Sequence, residues 1–171
     1  STKVIDGEFA FYGPAGYDVG NVIANLIFAY VNARATMEEG DAKERHIGWV
    51  LKTIEEVADL FQDKFLRLFH ERATERVARY PGFDRWYLAG IMRDTSAVTG
   101  LELCRRTLGI AHVKDITSIA DEARRAEAER ICLIAGKTFI LERDAIVKGK
   151  DYLQVIRDSV AREFTPEERL A

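Results

Sequence analysis

The sequence contains little cysteine and no concentration of metal-ligating residues. Its two cysteines, Cys104 and Cys132, stand far apart in helix-like apolar patterns and not in a C-x-x-C spacing. The three histidines are scattered along the chain. This usage argues against a disulfide framework and against a zinc site, and it favours a reducing, cytoplasmic environment.

Long hydrophobic runs and an excess of positive charge are also absent. The longest strongly apolar stretch, 22–31, contains Asn25 and is about half the length that a bilayer span requires. Lys and Arg number 25 against 28 Asp and Glu, which gives a formal charge of −3. We therefore expect neither a membrane nor a nucleic acid as a partner.

The sequence does contain enough apolar residues for one folded unit. The chain has 171 residues, of which 47% are hydrophobic, with only 3 prolines and no internal repeat. A chain of this length buries roughly 70% of its unfolded surface, so a proper core is expected. We interpret residues 1–171 as a single, mainly α unit with one short β-strand at 2–5, a segment rich in β-branched residues.

Apolar periodicity and capping residues predict the helices of this unit. They are a buried helix 19–34 capped by Asp18, a long helix from a capping-box-like Asp41 and Glu44 to about His70, two segments at 86–92 and 100–108 interrupted near 94–96, a helix from 122 to about 146 opened by Ser118 and Asp121 and stopped by Lys148-Gly149, and a last helix to Val160 capped by Asp151. Trp49 and Trp86 are expected to pack in the core or against another lobe, and His112 is interpreted as a structural histidine.

Two acids follow the predicted strand, in the order Asp6-Gly7-Glu8. Residues i and i+2 of an extended chain project from the same face, so the two carboxylates can converge. Carboxylate oxygens are ligands that Mg²⁺ accepts, often together with substrate phosphates. The pair is therefore a candidate metal site, and the competing interpretation is a turn with two solvated acids.

The segment 5–20, which reads IDGEFAFYGPAGYDVG, resembles a segment of the aminoglycoside-phosphotransferase-like kinases. Within that superfamily it is most similar to the 5-methylthioribose kinases. The resemblance implies that Asp6 and Glu8 hold Mg²⁺ and ATP, with Asp6 also binding the nucleotide, and that Asp18 supports the catalytic loop. From the residues alone, Asp18 is a helix cap.

A second segment agrees with this resemblance. Residues 100–113 read GLELCRRTLGIAHV, which is similar to the family's G-x-x-x-x-R-R-x-x-G-[LI]-A-H-V pattern. The resemblance implies that Arg105 and Arg106 contact the methylthioribose. Adjacent helical residues point about 100° apart, so only a converging pocket can use both. The alternative is an ordinary surface pair such as Arg124-Arg125.

The resemblance implies a fold and a reaction. The fold is a protein-kinase-like C-terminal lobe, and the reaction is ATP-dependent phosphorylation of the anomeric hydroxyl of 5-methylthioribose in methionine salvage, with Mg²⁺ as cofactor. The N-lobe and a His-Gly-Asp loop with the catalytic Asp are expected upstream of Ser1, so the isolated chain is expected to be poorly active or inactive. A homodimer is an option that the resemblance adds.

Two other interpretations stay open from the sequence. The chain could belong to a kinase for another small hydroxylated substrate, such as an amino sugar or a choline-like alcohol. It could also be a degenerate, non-catalytic kinase lobe that binds a partner. Acceptor and nucleotide binding separate the three interpretations.

Overall fold

The computed structural model describes Gly7 and residues 10–162, and within them every regular element is a helix. The helices are α1 (Gly16–Thr36), α2 (Asp41–Arg72), a short 3₁₀ helix (Arg76–Arg79), α3 (Phe83–Leu108), α4 (Lys114–Thr117), α5 (Glu122–Leu141) and α6 (Gly149–Ala161). The prediction of a mainly α fold is confirmed. The predicted strand at 2–5 lies outside the described residues.

The first two helices begin without the predicted side-chain caps. Helix α1 begins at Gly16, so its N-cap position is Ala15, and Asp18 lies in the first turn. The Pro14 carbonyl accepts the Tyr17 N–H at 2.9 Å, which starts the helical turn early. Gly40 occupies the N-cap position of α2, again with no side-chain cap. The capping predictions were therefore wrong, although an acid in the first turn still stabilises a helix through its dipole.

Helices α1 and α3 run in the same direction and are in close contact at two glycines. A Cβ added at Gly16 would lie 2.6 Å from the Ile91 carbonyl oxygen, and one at Gly20 would lie 2.7 Å from the Thr95 carbonyl oxygen. The Thr99 hydroxyl donates to the Gly20 carbonyl at 3.2 Å across the same contact. These contacts fix the register of α1 along α3.

Helix α3 is continuous through 94–96, where the sequence predicts an interruption. The hydroxyl of Thr95 donates to the Ile91 carbonyl at 2.9 Å, and that of Ser96 donates to the Phe139 carbonyl at 2.9 Å. Because these buried hydroxyls bond to helix carbonyls, they need no break in the helix. The predicted interruption was therefore wrong.

Helices α3 and α5 are antiparallel, since Ser96 bonds to Phe139 while Gly100 lies beside Gly136. A Cβ added at Gly100 would lie 2.4 Å from the Gly136 carbonyl oxygen. A Cβ added at Gly136 would lie 2.8 Å from Cys104 Sγ. This glycine crossing lies about two turns before the end of α3 and holds that end in place.

The two C-terminal helices begin at carboxylates. Asp121 caps α5 by accepting the Arg124 N–H at 2.9 Å, as predicted. Helix α5 ends at Leu141 and not near Ile146. Asp151 accepts the backbone N–H of Lys148 at 2.8 Å, so Lys148 and Gly149 begin α6 where the sequence analysis has them ending the previous helix.

One continuous core joins the helices. Its fully buried large side chains are Phe28, Phe139, Tyr152, Met92, Leu103, Ile23, Ile27, Ile54, Ile116, Ile119, Ile131 and Ile156. Trp49 and Trp86 are 60% and 70% exposed, so neither lies in the core, and packing against another lobe stays a prediction for both. His112 is also exposed. Among the described residues, no helix combines the length and the apolar character that crossing a membrane requires.

The ring of Tyr152 is buried against Phe139, and its phenolic hydroxyl has no hydrogen-bond partner among the described residues. Burial raises the pKa of this hydroxyl, so it stays neutral. Leaving a buried donor unpaired costs about 1–3 kcal/mol, and the phenylalanine variant removes that cost. We therefore expect Tyr152→Phe to raise the free energy of unfolding by about 1 kcal/mol in urea denaturation.

Tyr80→Phe is the matched control for this change, since Tyr80 is 73% exposed. That variant should leave the urea midpoint where it is. A loss of stability in Tyr152→Phe, with Tyr80→Phe unchanged, would show that the Tyr152 hydroxyl has a partner that stabilises the fold.

Candidate functional site

The predicted metal ligands, Asp6 and Glu8, lie outside the described residues, so this site stays a prediction. Within residues 10–162, no group of three or more His, Cys, Asp and Glu side chains is placed to hold a metal ion. The donor chemistry of the Asp6–Glu8 pair, two carboxylates, suits a hard cation such as Mg²⁺.

The segment that leads away from these acids lines a cleft of about 560 Å³. Its other walls are the N-terminal half of α3 and the connection between α5 and α6. Trp86 and Tyr87 contribute aromatic surface, and an ion pair joins Arg93 to Asp144 at 3.8 Å. Asp18 does not line the cleft, and its side chain is solvent-exposed in the first turn of α1.

Arg105 and Arg106 lie in the last turn of α3, where cations interact favourably with the helix dipole. One carboxylate, that of Glu102, joins them. Its Oε2 accepts the Nε–H of Arg105 at 2.9 Å and lies 2.8 Å from Nη2 of the same guanidinium group, and its Oε1 accepts the Nε–H of Arg106 at 2.8 Å. The two arginine side chains leave the helix in different directions, and their guanidinium groups meet at the Glu102 carboxylate.

Glu102 is buried, with 6% of its surface exposed. Burial by itself would raise the pKa of its carboxyl, but the hydrogen bonds and charges of Arg106 and Arg105 outweigh burial and hold the pKa below its ordinary value. Glu102 is therefore ionised at neutral pH. Its stabilising effect is present above the unfolded-state pKa and is lost as the pH falls through the lowered folded-state pKa.

A second acceptor fixes Arg106. Its Nη1 donates to the Ala111 carbonyl at 3.2 Å, which ties the guanidinium to the loop that follows α3. This loop begins where the Gly109 N–H bonds to the Arg105 carbonyl at 2.9 Å and closes the helix. The side chain of Arg106 is 34% exposed and that of Arg105 is 53% exposed. Both guanidinium groups therefore keep outward N–H groups for an oxygen-rich ligand.

Sequence reasoning missed Glu102, although a signal for it exists. Glu102, Arg105 and Arg106 stand at i, i+3 and i+4, the spacings at which helical side chains meet. The 100° divergence of adjacent helical residues left open whether both arginines could serve one site. The acid one turn earlier resolves that divergence.

The structure does not bring Asp18 and the arginines together. Gly16 and Gly20, which flank Asp18, pack at the level of Thr95 on α3. Ten residues of helix separate Thr95 from Arg105, which corresponds to about 15 Å along the axis. The two ends of the predicted site are thus joined by a rigid stretch of α3 and are not in contact.

Three curated proteins show what the chain resembles. A methylthioribose kinase of Erwinia tasmaniensis is 38% identical over 149 residues, 85% of this chain and 36% of that protein. Methylthioribose kinase 1 of Oryza sativa subsp. japonica is 35% identical over 167 residues, 91% of this chain and 37% of that protein. A methylthioribose kinase of Bacillus pumilus is 33% identical over 159 residues, 93% of this chain and 38% of that protein.

These similarities confirm the resemblance that the two motifs indicate. The chain spans a little over a third of the length of the curated relatives it matches. No family model matches the chain.

Proposed function

We propose that this chain, a relative of the methylthioribose kinases over about a third of their length, is part of an ATP-dependent kinase for 5-methylthioribose. In that kinase the chain supplies the residues that bind the metal and the sugar. The observation that carries the proposal is the pair of arginines held by buried Glu102 at the end of α3. The names of the chain's relatives suggest the reaction, and the geometry of the two arginines suits a polyol.

In this proposal the arginines bind the acceptor sugar. Guanidinium N–H groups donate to hydroxyl oxygens, and two fixed guanidinium groups orient a polyol better than two free ones. The ATP γ-phosphoryl group is transferred to the anomeric hydroxyl, whose proton a carboxylate accepts. That carboxylate is the Asp expected upstream of Ser1.

Asp6 and Glu8 are the residues proposed to hold Mg²⁺. Bound there, the ion would neutralise charge on the ATP phosphates. Asp18, exposed in the first turn of α1, is proposed to support the catalytic loop.

The experiment expresses the complete reading frame that contains this chain and assays ATP consumption with 5-methylthioribose. We expect phosphorylation of 5-methylthioribose in the presence of Mg²⁺. A panel with an amino sugar and choline separates the proposal from a kinase with another acceptor. Nucleotide binding without turnover on any acceptor, or no nucleotide binding at all, would favour a degenerate lobe.

Removing either arginine should chiefly weaken sugar binding. We expect Arg105→Ala to raise the Kd for 5-methylthioribose by about 10- to 100-fold, because charge-assisted hydrogen bonds are lost. Calorimetry on the complete protein measures the effect, and Arg157→Ala, an exposed arginine on α6, is the control. An unchanged sugar affinity in Arg105→Ala would reject the assignment.

A further inference from the structure

We propose that Glu102 determines the charge specificity of the arginine site: it holds Arg105 and Arg106 for a neutral polyol while making the site unfavourable for an anion. The inference rests on the proposed function, since it concerns how the same arginines select their ligand. Glu102 acts through the arginines and is therefore a positioning residue. Three features of its environment carry the argument.

The first feature is the division of its two oxygens. Oε2 takes Arg105 and Oε1 takes Arg106, so neither arginine can leave without uncovering a buried carboxylate oxygen. Exposed ion pairs contribute little, because their side chains lose entropy and water screens the charges. Here the carboxylate is only 7% exposed, so the three side chains form one fixed unit.

The second feature is the set of donors that remains. A guanidinium group carries five N–H donors. Arg105 donates its Nε–H to Glu102 and holds Nη2 in ion-pair contact with it, and Arg106 donates its Nε–H to Glu102 and one Nη1–H to Ala111. At least three N–H groups remain on each side chain. These donors suit several hydroxyl oxygens of one sugar.

The third feature is the charge. Two guanidinium groups and one carboxylate leave a net charge of +1, where two arginines alone would present +2. Within residues 10–162, Glu102 is the acid within ion-pair distance of this pair. An incoming phosphate meets a fixed negative charge a few ångströms behind the guanidinium groups, and a neutral sugar does not. A phosphorylated product, which gains roughly two negative charges, is therefore bound less well than the arginines alone would bind it.

The test substitutes Glu102→Gln in the complete protein and titrates two probes, 5-methylthioribose and inorganic phosphate. Glutamine offers one carbonyl oxygen for one arginine and turns an amide N–H₂ toward the other. We expect the Kd for the sugar to rise about tenfold and the Kd for phosphate to fall about tenfold. Glu127→Gln, which removes the same charge beside Arg34, is the matched control and should change neither.

A second variant separates charge from geometry and serves if Glu102→Gln does not fold. Glu102→Asp keeps the charge but shortens the side chain by one methylene. Its sugar affinity should fall about tenfold while its phosphate affinity stays at the unaltered value. Equal changes for both probes in either variant would overturn the proposal, because a general structural disturbance has no reason to separate a neutral ligand from an anion.

A double-mutant cycle tests whether Glu102 acts through the arginines. In an Arg105→Ala background, Glu102→Gln should change sugar affinity by a smaller factor than in the unaltered protein. Full additivity would overturn the positioning role.

The two proposals can fail separately. If the unaltered protein does not bind 5-methylthioribose, the proposed function fails, and the phosphate titration still decides the role of Glu102. If the sugar binds but Glu102→Gln leaves both affinities unchanged, the proposed function stands and the role of Glu102 is rejected.

Discussion

Gly100→Ala should lower the free energy of unfolding by about 2–3 kcal/mol. The new Cβ would lie 2.4 Å from the Gly136 carbonyl oxygen and 3.0 Å from Phe139 Cβ. The Gly136 carbonyl belongs to the helix backbone and cannot rotate away from the new Cβ as a flexible side chain could. Helices α3 and α5 must therefore separate. The separation also removes packing from Leu103, which is fully buried one turn later.

Gly48→Ala is the control for this substitution, because Gly48 lies inside helix α2 and a Cβ there meets nothing within 4 Å. Alanine is the better helix former by about 0.5–1 kcal/mol, so this variant should be stabilised. Urea denaturation followed by circular dichroism measures both. Two shifts of the same sign would contradict the claim that contact between α3 and α5, and not helix propensity, decides the outcome at Gly100.

Asp6→Asn should reduce ATP-dependent phosphorylation in the complete protein by about 1000-fold or more. The reason is that phosphoryl transfer depends on metal ions that neutralise charge on the phosphates. Asparagine keeps the size of aspartate but removes the charge that a hard cation prefers. Sugar affinity should stay within about twofold, because the arginines that bind the sugar are unaltered. The measurement is steady-state turnover at saturating Mg²⁺ and ATP, with calorimetry for the sugar.

Asp41→Asn is the matched control for that substitution. Asp41 is an exposed acid at the start of α2, 3.9 Å from Arg45, and its loss should leave turnover unchanged. Near-normal turnover in Asp6→Asn would reject the metal assignment. Loss of turnover together with loss of sugar binding would instead indicate that the substitution disturbs the fold.

Local signals predicted the local features of the fold. The mainly α class and the start of α5 at Asp121 followed from periodicity and from a cap that acts within one turn. The break expected near Ser96 was wrong because its hydroxyl bonds to Phe139, 43 residues away in sequence, and no local pattern carries that contact. Trp49 lies outside the core for a related reason, since only one face of the long helix α2 meets the core.

The candidate site also has a part that local sequence predicts and a part that depends on distant contacts. Motif resemblance singled out Arg105 and Arg106, and the structure shows that Glu102 accepts hydrogen bonds from both. Their role as sugar ligands stays a prediction. Glu102 was within reach of sequence reasoning, since helical spacing alone places it beside both arginines. The roles of Asp6, Glu8 and Asp18 stay predictions, because they depend on how residues distant in sequence are brought together.

The position of Trp86 makes it an intrinsic fluorescence probe of the cleft. Trp86 lines the cleft beside the segment that leads from the two acids, whereas Trp49 is exposed on α2 away from the cleft. The chain has only these two tryptophans. Intrinsic fluorescence from a Trp49→Phe variant therefore comes from Trp86 alone. A ligand that enters the cleft can therefore be followed by tryptophan fluorescence without an attached dye. Trp86→Phe is the control, because its remaining tryptophan, Trp49, lies away from the cleft.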